Sequence, residues 1–372
     1  MPEFTEHLLR RIDGAQFADF RDNFDYHRFG GVADRRAWDW LAWQGRRFAR
    51  RLGFTRRKWR VRPNLRTFAT WMRLVTDLEW FYDRLYDDES RTLLLDVIAY
   101  RIMGHRGVRL STNTRDFWRL REQASVLADP TDSIPIAFND WKLLKHDLTS
   151  VGYPIKLYAK GIASQFLMQQ YACERYGVSV TPGDVVIDGG ACFGDTALYF
   201  AHLTGPAGNV YSFEFVDSNI EILRRNLDLN PALASQVEIV KHPLWSRSGL
   251  PMLVNDRGPA SNVQLLEEEN TEDAAVRTLT IDDFFAQQGL DRVDFIKMDI
   301  EGAETEALKG AEQTILCCRP KLAICLYHRP EDFVSIPRFL DRVYPDYRFA
   351  LGHFTIHAEE TVLYAWNSSL RN

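Results

Sequence analysis

The sequence predicts an α/β chain: a mostly parallel, seven-stranded sheet with helices on both faces, preceded by an added N-terminal helical domain. Three observations predict it. From residue 183 onward, short β-rich runs alternate with helix-like segments, the pattern of βαβ units. Residues 183–196, GDVVIDGGACFGDT, read as strand, acid, glycine turn and helix start. Upstream, apolar residues recur at helical spacing with few turn glycines between them.

The glycine stretch organises the rest. The run Val185 to Ile187 ends in Asp188, and Gly189, Gly190, Ala191 and Gly194 follow before a helix opening at Asp195 and Thr196. Glycine is required where a ligand lies against bare backbone, and Asp195 or Thr196 can cap the new helix. A dinucleotide turn would need glycine where Ala191 stands and a neutral strand tip to receive a pyrophosphate. A carboxylate facing the ligand suits a cation instead. S-adenosylmethionine, with its sulfonium and ammonium, is the expected cofactor, and S-adenosylhomocysteine the product. A second apolar run, Asn209 to Phe213, ends in Glu214, an acid suited to a ribose diol.

Four separated stretches, VVIDGGACFGDTALYFA, VYSFEF, VDFIKMDIEGAE and TIHAEETVLYAW, resemble the FkbM family of S-adenosylmethionine-dependent methyltransferases. The resemblance covers residues 183 to 366 or so. It implies a class I methyltransferase (Rossmann-like) fold and O-methylation of a sugar, glycan or related hydroxyl. In that fold the loop after the third strand brackets the adenine, so Leu244 and Trp245 join the expected cofactor set. That set is Asp188, Gly189, Gly190, Ala191, Gly194, Asp195, Thr196, Glu214, Phe215, Leu244, Trp245 and Asp299.

A chain of 372 residues suggests two domains, 1–150 mainly helical and 151–372 catalytic. The net charge of −5 argues against general nucleic-acid binding. Five cysteines form no C-x-x-C pair or metal spacing and read as free thiols. With no apolar leader and no membrane-length apolar run, the expected location is cytoplasmic. A homo-oligomer is compatible with the sequence.

Helical spacing recurs through Trp38, Leu41, Ala42 and Trp43, through Phe68 to Leu85, and from the cap Ser90 to Met103. Arg46 to Arg66 holds ten basic residues and no acid, with Phe48, Leu52, Phe54 and Trp59 interleaved. That patch suits an anionic or lipid-linked acceptor, or is a solvated face paired with Asp87, Asp88 and Glu89. Residues 129 to 154 read as an irregular junction, and Phe166 to Tyr176 as a helix over the cofactor.

Six further strands follow the first: Tyr211 to Glu214, Val237 to Lys241, Val293 to Met298, Leu322 to Tyr327, and an antiparallel pair, 349–351 with 361–365, counted as the sixth and seventh. Helices run from Ser218 to Leu229 and from Ala303 to Cys317. Residues 258–262 form a loop that touches the acceptor or is a plain surface turn.

Methyl transfer needs alignment and a base for the acceptor hydroxyl. The tip Asp299-Ile300-Glu301-Gly302-Ala303-Glu304 offers Asp299 and Glu301 beside the methyl donor, with Glu304 an ordinary first-turn acid. His328 is the first choice of base, ahead of His353 and His357. Mg2+ at Asp299 is open but not favoured, because strand five ends in Tyr327-His328 and not in a second acid. The alternatives are an NAD-dependent oxidoreductase and a non-catalytic binding module with a vestigial methyltransferase half.

Overall fold

The computed structural model describes residues 2–15, 23, 25, 61–136, 141–266 and 276–367. The 38–43 helix and residues 46–60 of the basic patch lie outside the described residues; Arg62 and Arg66 are exposed.

Thirteen strands are described. β1 (Ala128–Pro135), β2 (Lys142–Asp147) and β3 (Lys156–Ala159) precede the glycine turn; β4 (Val185–Gly189), β5 (Asn209–Phe213) and β6 (Val237–Val240) follow from it. Next come the short β7 (Pro251–Asn255), β8 (Asn262–Leu265) and β9 (Val276–Arg277). β10 (Phe295–Met298), β11 (Lys321–Cys325), β12 (Tyr347–His353) and β13 (Thr361–Asn367) complete the chain.

The main sheet has seven strands in the order β12-β13-β11-β10-β4-β5-β6. β4, β5, β6, β10 and β11 run parallel; β13 and β12 are antiparallel. The order reverses between β4 and β10, and a crevice opens at the strands' carboxyl ends at such a point. Both faces are buried. Ile187, Ile296 and Ile324 pack to one side and Val186, Phe295 and Ala323 to the other, as a period of two requires.

The first of these cores is shared with the N-terminal helices. Leu78, Phe81, Leu94 and Ile98 join the same cluster as Ile296 and Phe349. Tyr86 N donates to Phe349 O at 2.8 Å, and Leu351 N to Ser90 Oγ at 2.9 Å. These helices therefore cover the open edge of β12, which would otherwise present unpaired main chain.

Several elements differ from expectation. The 129–154 stretch is not an irregular junction but a three-stranded antiparallel sheet, β1-β2-β3. Its turn-forming residues sit in a bulge between Asp129 and Ser133, where Asp129 accepts from Thr131 N at 2.8 Å. Pro130 is tolerated there because β1 is an edge strand. The segment 68–85 is two helices, Leu65–Arg73 and Val75–Arg84. The next helix, Asp88–Met103, is capped by Asp87 and not by Ser90, and is buried nearly all round. Residues 166–176 hold only a π turn, Ala163–Leu167, and a 3-10 turn, Glu174–Tyr176, with Gln169 left-handed between them. The 303–317 helix breaks into Glu304–Lys309 and Glu312–Cys318. Gly310, at the break, lies so close to the Trp245 carbonyl that any Cβ would collide with it. Helices Ile281–Gln288 and Asp332–Val343, and the sheet β8-β7-β9, were not anticipated.

One buried amide ties the small sheet to the glycine turn. Asn226 accepts from Tyr158 N at 2.7 Å and donates to Tyr158 O at 3.0 Å and Phe193 O at 2.8 Å. Asn226→Ala would strand three buried main-chain groups, and a loss of about 2 kcal/mol or more in urea-unfolding free energy is expected. A change under about 0.5 kcal/mol would show that this tie is dispensable.

Candidate active site

The glycine turn is shaped by contact with β10. Gly190 has φ +82°, and a Cβ there would collide with the Asp299 carbonyl oxygen. Gly194, at φ +84°, starts helix Asp195–Thr204, and a Cβ there would lie 2.9 Å from Leu223 Cγ. No side chain caps this helix, contrary to the role expected of Asp195 or Thr196.

Asp188 does not face a ligand. Its carboxylate is wholly buried, and Lys297 Nζ lies 3.0 Å from Oδ1. Thr196 Oγ1 donates to Oδ2 at 2.8 Å, and Ser212 Oγ at 3.4 Å. Lys297 is itself 1% exposed and donates to Gly189 O at 2.9 Å and Gly190 O at 2.7 Å. Burial disfavours its charge, but Asp188 and then Asp299 outweigh that and raise its pKa. Asp188 thus neutralises a lysine that pins the turn from beneath, instead of meeting a cationic cofactor. The register explains the pairing: Lys297 sits directly opposite Asp188 on the neighbouring strand. The signal was present as a lone lysine inside the apolar run VDFIKM. Burial pushes Asp195 up to about 6, with Lys297 opposing and Asp188 reinforcing.

Above the turn lies an open cleft of about 560 Å³. Of the expected set, Gly190, Glu214, Phe215, Leu244, Asp299 and Glu301 line it. Glu214 is 5% exposed. Its Oε1 accepts from Phe215 N and Val216 N, both at 2.8 Å, Oε2 has Asn219 Nδ2 at 3.4 Å, and the Cys192 amide also favours the carboxylate. Burial raises its pKa against these amides. One oxygen is therefore fixed and the other is left for a ligand. Trp245 does not line the cleft; its amide pairs with Leu279 O at 3.2 Å. Gly189, Ala191, Asp195 and Thr196 support the turn without lining the cleft. Gly258, Pro259, Ser261 and Asn262 do line it, so the loop between β7 and β8 is a wall and not a plain surface turn. Cys192, Asn219, His242 and Pro243 also contribute and were missed.

The far end of the cleft is a carboxylate cluster. Tyr171 and Tyr327 donate their hydroxyls to Asp299 at 3.0 and 2.9 Å. Glu301 (φ 56°) and Gly302 (φ 91°) are both left-handed, which turns the chain back on itself. Glu304 is consequently wholly buried, its Oε1 accepting from Ile300 N at 2.8 Å. It is not an ordinary first-turn acid. His328 lies among all three: Nδ1 is 2.9 Å from Glu304 Oε1, and Nε2 is 3.4 Å from Asp299 Oδ1 and 3.8 Å from Glu301 Oε2.

These neighbours set the charges. Burial opposes charging His328, but Glu304, Asp299 and Glu301 outweigh it and push the imidazole up to about 9. That shift opposes the expected role as base. Burial would raise Asp299, but His328, Lys297 and the two tyrosine hydroxyls hold it below the usual range. Burial pushes Glu301 up to about 7, with His328 opposing and Asp299 and Glu304 adding to it. Of the other histidines, His353 is buried and bonded to Thr361 Oγ1 at 2.8 Å, and burial drives it down to about 3. Neither it nor His357 lines the cleft.

Residues 188–351 match the model of the methyltransferase FkbM domain. Methyltransferase sdnD of Sordaria araneosa is 29% identical over 184 residues, 41% of this chain and 70% of that protein. The crystal structure of the methyltransferase FkbM from Methylobacillus flagellatus KT superposes with a TM-score of 0.50 at 21% identity. That match covers 80% of this chain and 60% of the solved chain, so this chain spans about three fifths of that relative. The architecture is that of the class I S-adenosylmethionine-dependent methyltransferases. This family match displaces the NAD-dependent reading.

In the FkbM domain the Asp188–Lys297 pair fixes the cradle, and Lys297 has no other carboxylate in ion-pair contact among the described residues. Lys297→Met should therefore cost about 3–5 kcal/mol in unfolding free energy, because it leaves a buried, uncompensated carboxylate. The double variant Asp188→Asn with Lys297→Met should recover much of that loss. Strictly additive losses in a double-mutant cycle would count against the pairing.

Proposed function

We propose that the chain transfers a methyl group from S-adenosylmethionine to a hydroxyl of a sugar, glycan or related natural product. The observation that supports this best is one cleft with two different acidic ends. Glu214 lies at one end, Asp299 and Glu301 at the other, and bare Gly190 main chain lies between. Glu214 Oε2 is available to ribose hydroxyls, and Leu244 offers an apolar wall to a base. The Gly190 backbone lets an amino-acid tail pass close. The carboxylate end favours positive charge, as a sulfonium and an ammonium require. When bound, the cofactor supplies an electrophilic methyl group.

The residues around that position do the rest. Glu301 lines the cleft beside Asp299 and carries no tyrosine hydroxyl of its own, so we assign it to receive the acceptor's proton. Asp299, held by Tyr171 and Tyr327, is an orienting group. Ser261 and Asn262 make the opposite wall polar, which suits a hydroxylated acceptor. The division into 1–150 and 151–372 and a cytoplasmic location belong to this proposal, as does docking of an anionic or lipid-linked acceptor on the 46–66 patch. Among the described residues, no helix is long and apolar enough to cross a membrane.

Two measurements test the reading. Glu214→Ala should weaken S-adenosylhomocysteine binding roughly ten- to hundredfold by calorimetry, the effect of losing hydrogen bonds to a charged group. Unchanged affinity, or NAD binding in place of the homocysteine ligand, would remove the cofactor assignment. In a screen of glycans and nucleotide-sugars read by S-adenosylhomocysteine release, Glu301→Gln should lower kcat by roughly 10²–10⁴ with cofactor affinity retained. Turnover at the wild-type rate would take the proton-accepting role away from Glu301.

A further inference from the structure

We propose that Asp299, Glu304 and His328 form a binding site for one divalent transition-metal ion, set into the wall of the cleft. Each residue offers one ligand atom, and these atoms lie within 4.8 Å of one another. Ligands about 2.1 Å from a common ion stand roughly 3–4 Å apart, so small side-chain shifts close the site.

Two buried side chains point to an absent ligand independently of that spacing. The His328 side chain is 8% exposed; its Nδ1 meets Glu304, but its Nε2 has no hydrogen-bond partner and faces Asp299 at 3.4 Å. Glu304 is wholly buried, and its Oε2 has no hydrogen-bond partner. Buried polar atoms are nearly always satisfied. Here the unsatisfied atoms belong to neighbouring residues and are of types that ligate metals.

The charge balance agrees. Three carboxylates converge, and among the described residues His328 alone makes ion pairs with them. Lys297 is committed to Asp188 and to the glycine turn. The surrounding contacts also hold the ligands in place: Tyr171 and Tyr327 fix Asp299, and Ile300 N fixes Glu304 Oε1. An imidazole nitrogen with two carboxylates selects Mn2+, Fe2+, Co2+ or Zn2+ over Mg2+ and Ca2+, which prefer all-oxygen shells. The second acid comes from the turn after β10 and not from the end of β11, where a two-acid site was looked for.

The inference does not depend on the methyl-transfer reading. The chelator-treated full chain is titrated with MnCl2 and, separately, with CoCl2. One equivalent of Mn2+ should be lost from the free-ion EPR signal, and Co2+ should develop visible absorption that indicates a nitrogen ligand. Glu304→Gln and His328→Ala should each weaken Mn2+ binding at least about a hundredfold. Calorimetry with S-adenosylhomocysteine runs alongside as a check that each variant is folded. Failure of the homocysteine ligand to bind wild type, with Mn2+ still bound, would sink the cofactor reading and leave the metal site standing. The metal site is overturned if wild type binds neither ion. It is equally overturned if binding survives both substitutions, or if the Co2+ spectrum of wild type matches that of His328→Ala.

Discussion

A lysine buried between two strands holds this site together. Lys297 meets Asp188 across the β4–β10 seam and then grips the carbonyls of Gly189 and Gly190. Its three donors are thereby engaged, and the glycine turn is fixed from below while its upper surface stays bare. The cost of burying two charges is offset by their close ion pair and by the hydroxyl and carbonyl contacts around it. Every other feature of the cleft is placed relative to that turn, because Gly190 rests on the Asp299 carbonyl and Gly194 on Leu223.

The second constraint is the backbone reversal at Glu301 and Gly302. Two consecutive left-handed residues bring Glu304 back toward the strand tip, where His328 meets it from the loop after β11. Left-handed backbone is unfavourable for glutamate, and Ile300 N to Glu304 helps hold it. Gly302 is favoured because its φ of 91° is one that L side chains rarely adopt. The result is a concentration of negative charge at one end of the cleft. That charge favours a positive partner among these groups, either a proton on His328 or a cation held by them.

The sheet was legible in outline because it rests on local signals. Alternation of apolar runs and helices predicted all seven strands of the main sheet, and one of the two strand-tip acids, Glu214, lines the cleft. Elements governed by non-local contacts were not legible. The β1-β2-β3 sheet was hidden by Asp129-Pro130-Thr131, which reads as a loop but forms a bulge on an edge strand. The 166–176 helix failed because Gln169 turns left-handed and Gln170 is drawn to Glu360 at 2.7 Å. Glu214 was read correctly as a residue of the cleft; Asp188 was assigned a ligand that its register gives to Lys297 instead.

The chain's local chemistry determined where the glycine turn lies, which strands carry acids at their carboxyl ends, and that a class I methyltransferase sheet would follow. Short-range patterning is enough for that, since strand period, glycine and helix start are properties of neighbouring residues. The tertiary structure alone decided which acid faces the cleft and which is neutralised, and which histidine meets the carboxylates. Those outcomes depend on pairs 24 to 109 positions apart, such as Glu304 with His328 and Asp188 with Lys297. Only strand register and burial bring such groups within a few ångströms, where Coulomb interaction outweighs solvation.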